Sequence, residues 1–323
     1  MSFDASKLIT IAENQLLVFN AGYEKGKAEG ECKKTYLEVT RTPTCYEVGE
    51  RTFKCTGCGA VGTEILPMID HTYVDGECSV CGQPDPYHID NYPVQDTLSG
   101  LFVLGGTKEE SLVNHNKKST TTPSEILHTT PQVEYGDNYV EFGGNATNRI
   151  ATEVVANITE GITWVALFKV PKNARTIVGT RRGSGDTKTG MSLRNDSINI
   201  CINKKSNLED FNQKINSDNF SIVAMTATPD WCRVVRYFNE ELIIDDPLLY
   251  YEGPIDVWEL KSMYQGKNLN AVMIGGEQGT GNVYSSACIS MVALHDGIIS
   301  DEDLAKICDF MYVHGTRRGL TIE

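Results

Sequence analysis

The feature that most constrains this chain is a series of short apolar runs in its second half, each cut off by Gly, Asn, Asp or Pro. In ITWVALFKV the residues Ile162, Trp164, Ala166, Phe168 and Val170 share one parity, and in SINICI the residues Ile198, Ile200 and Ile202 do the same. Successive strand side chains point to opposite faces, so a period of two marks a strand with one apolar face. FSIVAMTAT, WCRVVRYF, ELII, AVMIGG and CISMVALH follow, with no helical pattern between them. Strands in series with turn signals between them predict a β-sandwich. One helix closes the series: Ser300 is placed to cap DEDLAKICDFM, whose Leu304, Ile307, Cys308 and Met311 make a single stripe. The chain is therefore expected to be mainly β, with its sandwich over residues 93–323.

Ahead of the sandwich stand two further segments. Over residues 1–31, Ile9, Ala12, Leu16, Phe19 and Tyr23 recur at alternating spacings of three and four, the pattern of a coiled-coil helix. Ser2 and Asp4 can cap its start, and such a helix cannot bury its stripe alone. It is expected to attach or trimerise the chain, giving a homotrimer. Residues 32–92 hold most of the cysteines.

KCTGCGA and ECSVCGQ place Cys55 and Cys58, then Cys78 and Cys81, in two Cys-x-x-Cys-Gly turns, 19 residues apart. Two thiolates on one tight turn can reach the same ion, and two such turns supply four soft ligands for a closed tetrahedral zinc site. The intervening residues fit a short hairpin. Cys45 and His71 have metal-type spacing too: Cys45-x9-Cys55-x2-Cys58-x12-His71 is itself a Cys3His set. The set Cys55, Cys58, Cys78 and Cys81 ranks first, with Cys45 and His71 as alternative ligands. Four protein ligands leave no position for water, so the zinc is expected to be structural, a staple for a module too small to hold itself together. Cys201, Cys232, Cys288 and Cys308 are scattered through strand-like or helical segments and read as small buried hydrophobes.

Charge narrows the partners. With 29 Lys+Arg against 43 Asp+Glu the net charge is −14 over 323 residues. Such a chain is repelled by phosphate backbones and anionic lipid, so neither nucleic-acid binding nor membrane insertion is expected. No stretch reaches the roughly 18 apolar residues of a membrane span. The opening MSFDASKLIT lacks the basic and apolar regions of a signal peptide, so secretion by the ordinary route is not expected.

Several phrases together resemble the concanavalin A-like lectin/laminin-G jelly roll. They are YVEFGG (Tyr139 to Gly144), ITWVALFKVP, WCRVVRYFNEELI with its Asn turn, and MIGG followed by ACISMVALHDGIISDEDLAKICDFM. The resemblance runs over roughly residues 97–323 and implies the fold, not an activity. TCYEVGERTFKCTGCGAVGTEILPMIDH resembles a short repeat of Gram-positive surface and prophage proteins, and HTYVDGECSVCG resembles the end of such units. With NAGYEKGKAEG, the whole is similar to tail-associated proteins of phages and prophages of Gram-positive gut bacteria. That resemblance implies a virion location in the tail, other tail proteins as partners, and a jelly roll facing a carbohydrate on the host surface. A bacterial cell-surface or secreted carbohydrate-binding protein, and more weakly a glycoside hydrolase, are the alternatives.

An enzyme is not expected. Glycosidases of this fold need two carboxylates about 5 Å apart. The nearest run, YEGPIDVWEL, spaces Glu252, Asp256 and Glu259 wrongly for one strand face. No nucleophile elbow or His-Glu-x-x-His is present, and His295, ahead of Asp296-Gly297, reads as a turn residue. RRGSGDTKTG (Arg181 to Gly190) is a glycine-rich loop without the ending of a phosphate cradle and is a candidate ligand rim. Asp245 and Asp246 could hold calcium, but adjacent aspartates are ordinary turn chemistry.

Overall fold

The computed structural model describes residues 33–57, 59–118, 122–127, 133–143, 148–156, 160–171, 176–180, 190–194, 197–202, 205–210, 218–228, 230–239, 241–244, 249–250, 271–276 and 286–323. The helix expected over residues 1–31, with its coiled-coil stripe, lies outside them. The chain divides into two compact units, 1–85 and 86–323.

In the first unit, β1 (Lys34–Arg41), β2 (Gly49–Cys55) and β3 (Val61–Leu66) form an antiparallel sheet in that order. β4 (Tyr73–Val74) and β5 (Glu77–Cys78) make a separate minimal hairpin. The expected single hairpin between the two knuckles is not what forms, because β3 pairs back onto β2 across the first knuckle. The tight hairpin instead sits at Asp75-Gly76, where φ values of 51° and 84° give the twist that a two-residue turn requires.

Phe53, 1% exposed, anchors the small sheet. Tyr36 meets it edge-on at 6.5 Å, Lys34 Nζ lies 4.7 Å from its ring centre, and the Arg51 guanidinium covers Tyr36 at 3.6 Å. Lys34 and Arg51 both reach Glu64, at 3.3 and 2.6 Å. Burial works to raise the Glu64 carboxyl, but these two cations outweigh it and hold it below its ordinary value.

The second unit carries sixteen described strands. They are β6 (Leu98–Val103), β7 (Ser124–Ile126), β8 (Val133–Tyr135), β9 (Val140–Phe142), β10 (Arg149–Val155), β11 (Ile162–Lys169), β12 (Thr176–Gly179) and β13 (Gly190–Arg194). Then come β14 (Ser197–Ile202), β15 (Lys205–Asp210), β16 (Ser221–Ala227), β17 (Trp231–Phe238), β18 (Glu241–Ile244), β19 (Leu249–Tyr250), β20 (Ala271–Ile274) and β21 (Cys288–Asp296). One sheet runs β15-β14-β13-β12-β20-β10-β7. The other runs β18-β17-β16-β11-β21-β9-β8, with β19 added on β17 and β6 on β21.

The two sheets enclose the main core. From the second sheet come Ile162, Trp164, Ala166 and Phe168 of β11, with Val223 and Met225 of β16 and Val292 and Leu294 of β21. From the first come Ile150, Val178, Leu193, Val272 and Ile274. The parity read from ITWVALFKV is thus the parity that enters the sandwich.

The opposite face of the second sheet is also buried. Val165, Leu167, Ile222, Ala224, Val235, Tyr237, Met291 and Ala293 pack under α2 (Asp301–Arg317), which contributes Leu304, Ile307, Cys308, Phe310 and Met311. The Ser300 hydroxyl accepts the Asp303 amide at 3.1 Å, and Asp301, Glu302 and Asp303 stand in the first turn, where the helix dipole favours negative charge. A one-turn helix, α1 (Lys108–Ser111), is capped reciprocally by Thr107 and Glu110.

Candidate metal centre

Each Cys-x-x-Cys-Gly turn is built by the same backbone. The Cys55 amide donates to the Ala60 carbonyl at 2.8 Å and the Gly59 amide to the Cys55 carbonyl at 2.9 Å. The Cys78 amide likewise donates to Gln83 at 2.7 Å and the Gly82 amide to Cys78 at 2.8 Å. Gly59 and Gly82 carry φ of 73° and 71°, a region that glycine enters without strain, which explains the residue after each pair.

Around the second turn, Cys45, His71, Cys78 and Cys81 bring their ligand atoms within 4.8 Å of one another. Cys45 comes from the loop after β1, and the Ile69 amide donates to the Thr44 carbonyl at 3.1 Å, tying the stretch before His71 to that loop. The Cys45 and Cys78 sulfurs are 3.6 Å apart, and Cys81 Sγ is 3.4 Å from His71 Nδ1. A tetrahedral zinc with Zn–S of about 2.3 Å and Zn–N of about 2.0 Å would set those edges at roughly 3.8 and 3.5 Å. A disulfide would need about 2.05 Å. The donors therefore fit a metal ion: three thiols and an imidazole, with two edges close to those of a tetrahedral site.

Electrostatics point the same way. Burial, with the Cys81 and Cys78 sulfurs beside it, pushes the Cys45 thiol up to about 12. The Cys78 thiol is drawn down to about 5, first by the Cys81 amide and then, against its burial, by the Val80 amide and His71. Sulfurs crowded in this way resist ionising together until a cation neutralises them, and a coordinating thiol is deprotonated outright.

The module needs such a tie. Among the described residues of the first unit the buried apolar side chains are Phe53, Cys45, Cys55 and Cys78. One phenylalanine contributes about 3 kcal/mol by burial, against an ordering cost of about 1–2 kcal/mol for each residue's backbone.

Of the ligands read from sequence, Cys78 and Cys81 enter this cluster together with the alternatives Cys45 and His71. Cys55 is buried at the end of β2 and is not one of the four. Cys58 lies outside the described residues, as do Asp245, Asp246, Glu252, Asp256, Glu259 and the loop 181–189. Cys232, Cys288 and Cys308 are buried in the second unit. Burial raises the thiols of Cys288 to about 11 and Cys308 to about 12, the behaviour of small apolar residues.

Sequence reasoning placed His295 in a turn, and the structure places it in a strand. It is the penultimate residue of β21, fully buried, between the Tyr92 hydroxyl at 2.9 Å from Nε2 and the Thr97 hydroxyl at 3.0 Å from Nδ1. The signal was in CISMVALH, whose alternation runs through His295 and makes it a strand position rather than a turn.

No protein-family model matches the chain, and no curated protein sequence matches it. Among solved structures, it is similar to domain 4 of AbnA, a GH43 extracellular arabinanase from Geobacillus stearothermophilus, in complex with arabinotriose. That match has 11% identity and a TM-score of 0.44, over 66% of this chain and 98% of that one. It is also similar to Trypanosoma rangeli sialidase in complex with 2,3-difluorosialic acid, at 11% identity and a TM-score of 0.45, over 82% of this chain. A structure of botulinum neurotoxin type C, described by its interaction with two ganglioside molecules, matches at 11% identity and a TM-score of 0.40, over 65% of this chain. The chain spans 43% of the sialidase chain and 51% of the neurotoxin chain.

These matches correct one expectation. The chain was expected not to be an enzyme because a strand-borne carboxylate pair is absent, yet the solved structures similar to it include enzymes. Two carboxylates can also be brought together from different strands, which a search along one strand does not see. The exclusion of catalysis is withdrawn.

Proposed function

We propose that the second unit binds carbohydrate on a cell surface, and that the chain is a tail-associated virion protein whose metal-tied module is a rigid spacer. The observation that carries this reading is the placement of the lectin-like phrases. YVEFGG, ITWVALFKV, WCRVVRYF and CISMVALHD supply β9, β11, β17 and β21 of one sheet, and the Ser300-capped helix closes its outer face. These are the phrases that resemble the concanavalin A-like jelly roll, and that resemblance implies ligand contacts on the loops between the strands. Residues 1–31 would join three copies, so that weak sugar contacts add through avidity.

The test is adhesion of the fluorescently labelled full-length chain to intact cells of several Gram-positive species, with soluble glycans as competitors and release of sugar followed in parallel. Selective binding that a glycan competes away is the expected result. Uniform absence of binding by folded protein would overturn the reading.

A further inference from the structure

The four donors of the metal centre differ in exposure. Cys45 and Cys78 are buried, at 8% and 3%, whereas Cys81 and His71 are half-exposed. A small oxidant arriving from solvent therefore reaches Cys81 more readily than Cys45 or Cys78, whose sulfurs lie within 4.8 Å of its own. A reachable sulfur backed by partners able to resolve its oxidised form is the arrangement of a reversible thiol oxidation site.

We infer that Cys81 is an oxidation site for peroxides and that the product is a Cys45–Cys78 disulfide that takes over the work of the metal. A peroxide passes one oxygen to the Cys81 sulfur, giving a sulfenic acid and water or an alcohol. The sulfur of Cys78 or Cys45 attacks it, a disulfide forms, and the oxygen leaves as water with protons from solvent. Two cysteines have then given two electrons to one peroxide, and the ion, stripped of its thiolates, is released. Exchange within the cluster moves the bond to Cys45 and Cys78 and returns Cys81 to a thiol.

Geometry selects that final pair. The Cys45 and Cys78 sulfurs already touch at 3.6 Å, so closure to about 2.05 Å needs a movement of about 1.5 Å. Cys45 lies 33 residues from Cys78 and on a separate loop, so this bond keeps that loop on the knuckle as the ion did. It also closes a far larger loop than Cys78–Cys81 would, removing more freedom from the unfolded chain. A bond within the knuckle would instead release Cys45 and pull the Cys78 sulfur from the Val80 and Cys81 amides that hold it.

The experiment treats the zinc-loaded full chain, and in parallel the metal-free chain, with one equivalent of hydrogen peroxide. Zinc release is followed with a chromogenic chelator and disulfides are mapped by mass spectrometry. The Cys45–Cys78 disulfide is expected in both samples, with one zinc released per peroxide consumed in the loaded one. Cys81→Ser is expected to slow oxidation at least tenfold and to yield the same disulfide. A Cys78–Cys81 disulfide as the final product, sulfinic acid without any disulfide, or unchanged kinetics in Cys81→Ser would each overturn the proposal.

Discussion

The Tyr92 hydroxyl and the Nε2 of His295 lie 2.9 Å apart inside the second unit, with both residues closed off from solvent. The rings stack at 5.8 Å, and Phe310 of the closing helix meets Tyr92 edge-on at 5.3 Å. Thr97 satisfies the other imidazole nitrogen, so the stretch from Tyr92 to Thr97 is fastened to β21 by one histidine. Replacing His295 with Leu leaves the buried Tyr92 hydroxyl and the half-buried Thr97 hydroxyl short of a partner and is expected to cost about 2–4 kcal/mol. Tyr92→Phe keeps the ring packing and should cost about 1–2 kcal/mol. Urea denaturation of the two variants checks the order; equal stability with the parent would contradict it.

Acid should loosen the same region. Burial draws both His295 and His314 down to about 4, and His115 is lowered by burial as well. A base whose folded pKa lies below its unfolded value near 6.5 takes up protons more readily when the chain is unfolded. Its contribution is complete above about pH 6.5 and is lost as pH falls towards 4. His295 and His314 would each withdraw up to about 3 kcal/mol across that window. Glu64, Glu110 and Asp303 are lowered carboxyls, so their losses come at lower pH. Thermal melts from pH 7.5 to 4 should show a fall in Tm beginning near pH 6.5, and a flat profile down to pH 4.5 would refute it.

How much of this could be read in advance differs from element to element. The parity of Ile162, Trp164, Ala166 and Phe168 was legible because a one-residue slip would turn that whole set out of the core. Burial of the alternate positions was not read, although Val165 and Leu167 make the run apolar on both parities, as suits a strand covered on both sides. The helix stripe was read as a closing element, but its partner face depends on contacts far along the chain. In the module, the two knuckles were visible as local turns. Which donors converge was not, since Cys45 and His71 join Cys78 and Cys81 through the bond from Ile69 to Thr44, a long-range pairing with no local signature.

Gly275 shows a constraint of the opposite kind, local and strict. Its φ is 77°, its amide donates to the Ile177 carbonyl at 2.8 Å, and a Cβ built on it would clash with the Phe142 ring. Gly275→Ala must therefore displace a fully buried phenylalanine as well as strain the backbone, and should cost about 3–4 kcal/mol. Gly82→Ala shares the positive φ but has open space around it, so it should cost about 1 kcal/mol. Denaturation midpoints of the two variants, each read on its own unit, decide whether crowding or backbone strain dominates.

The ligand set of the metal centre can be settled by subtraction. If Cys45, His71, Cys78 and Cys81 hold the ion, then Cys45→Ser and His71→Ala should each reduce zinc affinity by at least a hundredfold. Cys55→Ser should leave that site filled, because Cys55 is not among the converging donors. Cobalt substitution gives a second readout, since the thiolate charge-transfer intensity scales with the number of sulfurs and should correspond to three. Removing the ion with a strong chelator should unfold the first unit, whose described buried apolar side chains are one phenylalanine and three cysteines, while the sandwich keeps its own transition. Loss of metal in Cys55→Ser with retention in Cys45→Ser would instead assign the ion to the two Cys-x-x-Cys turns together.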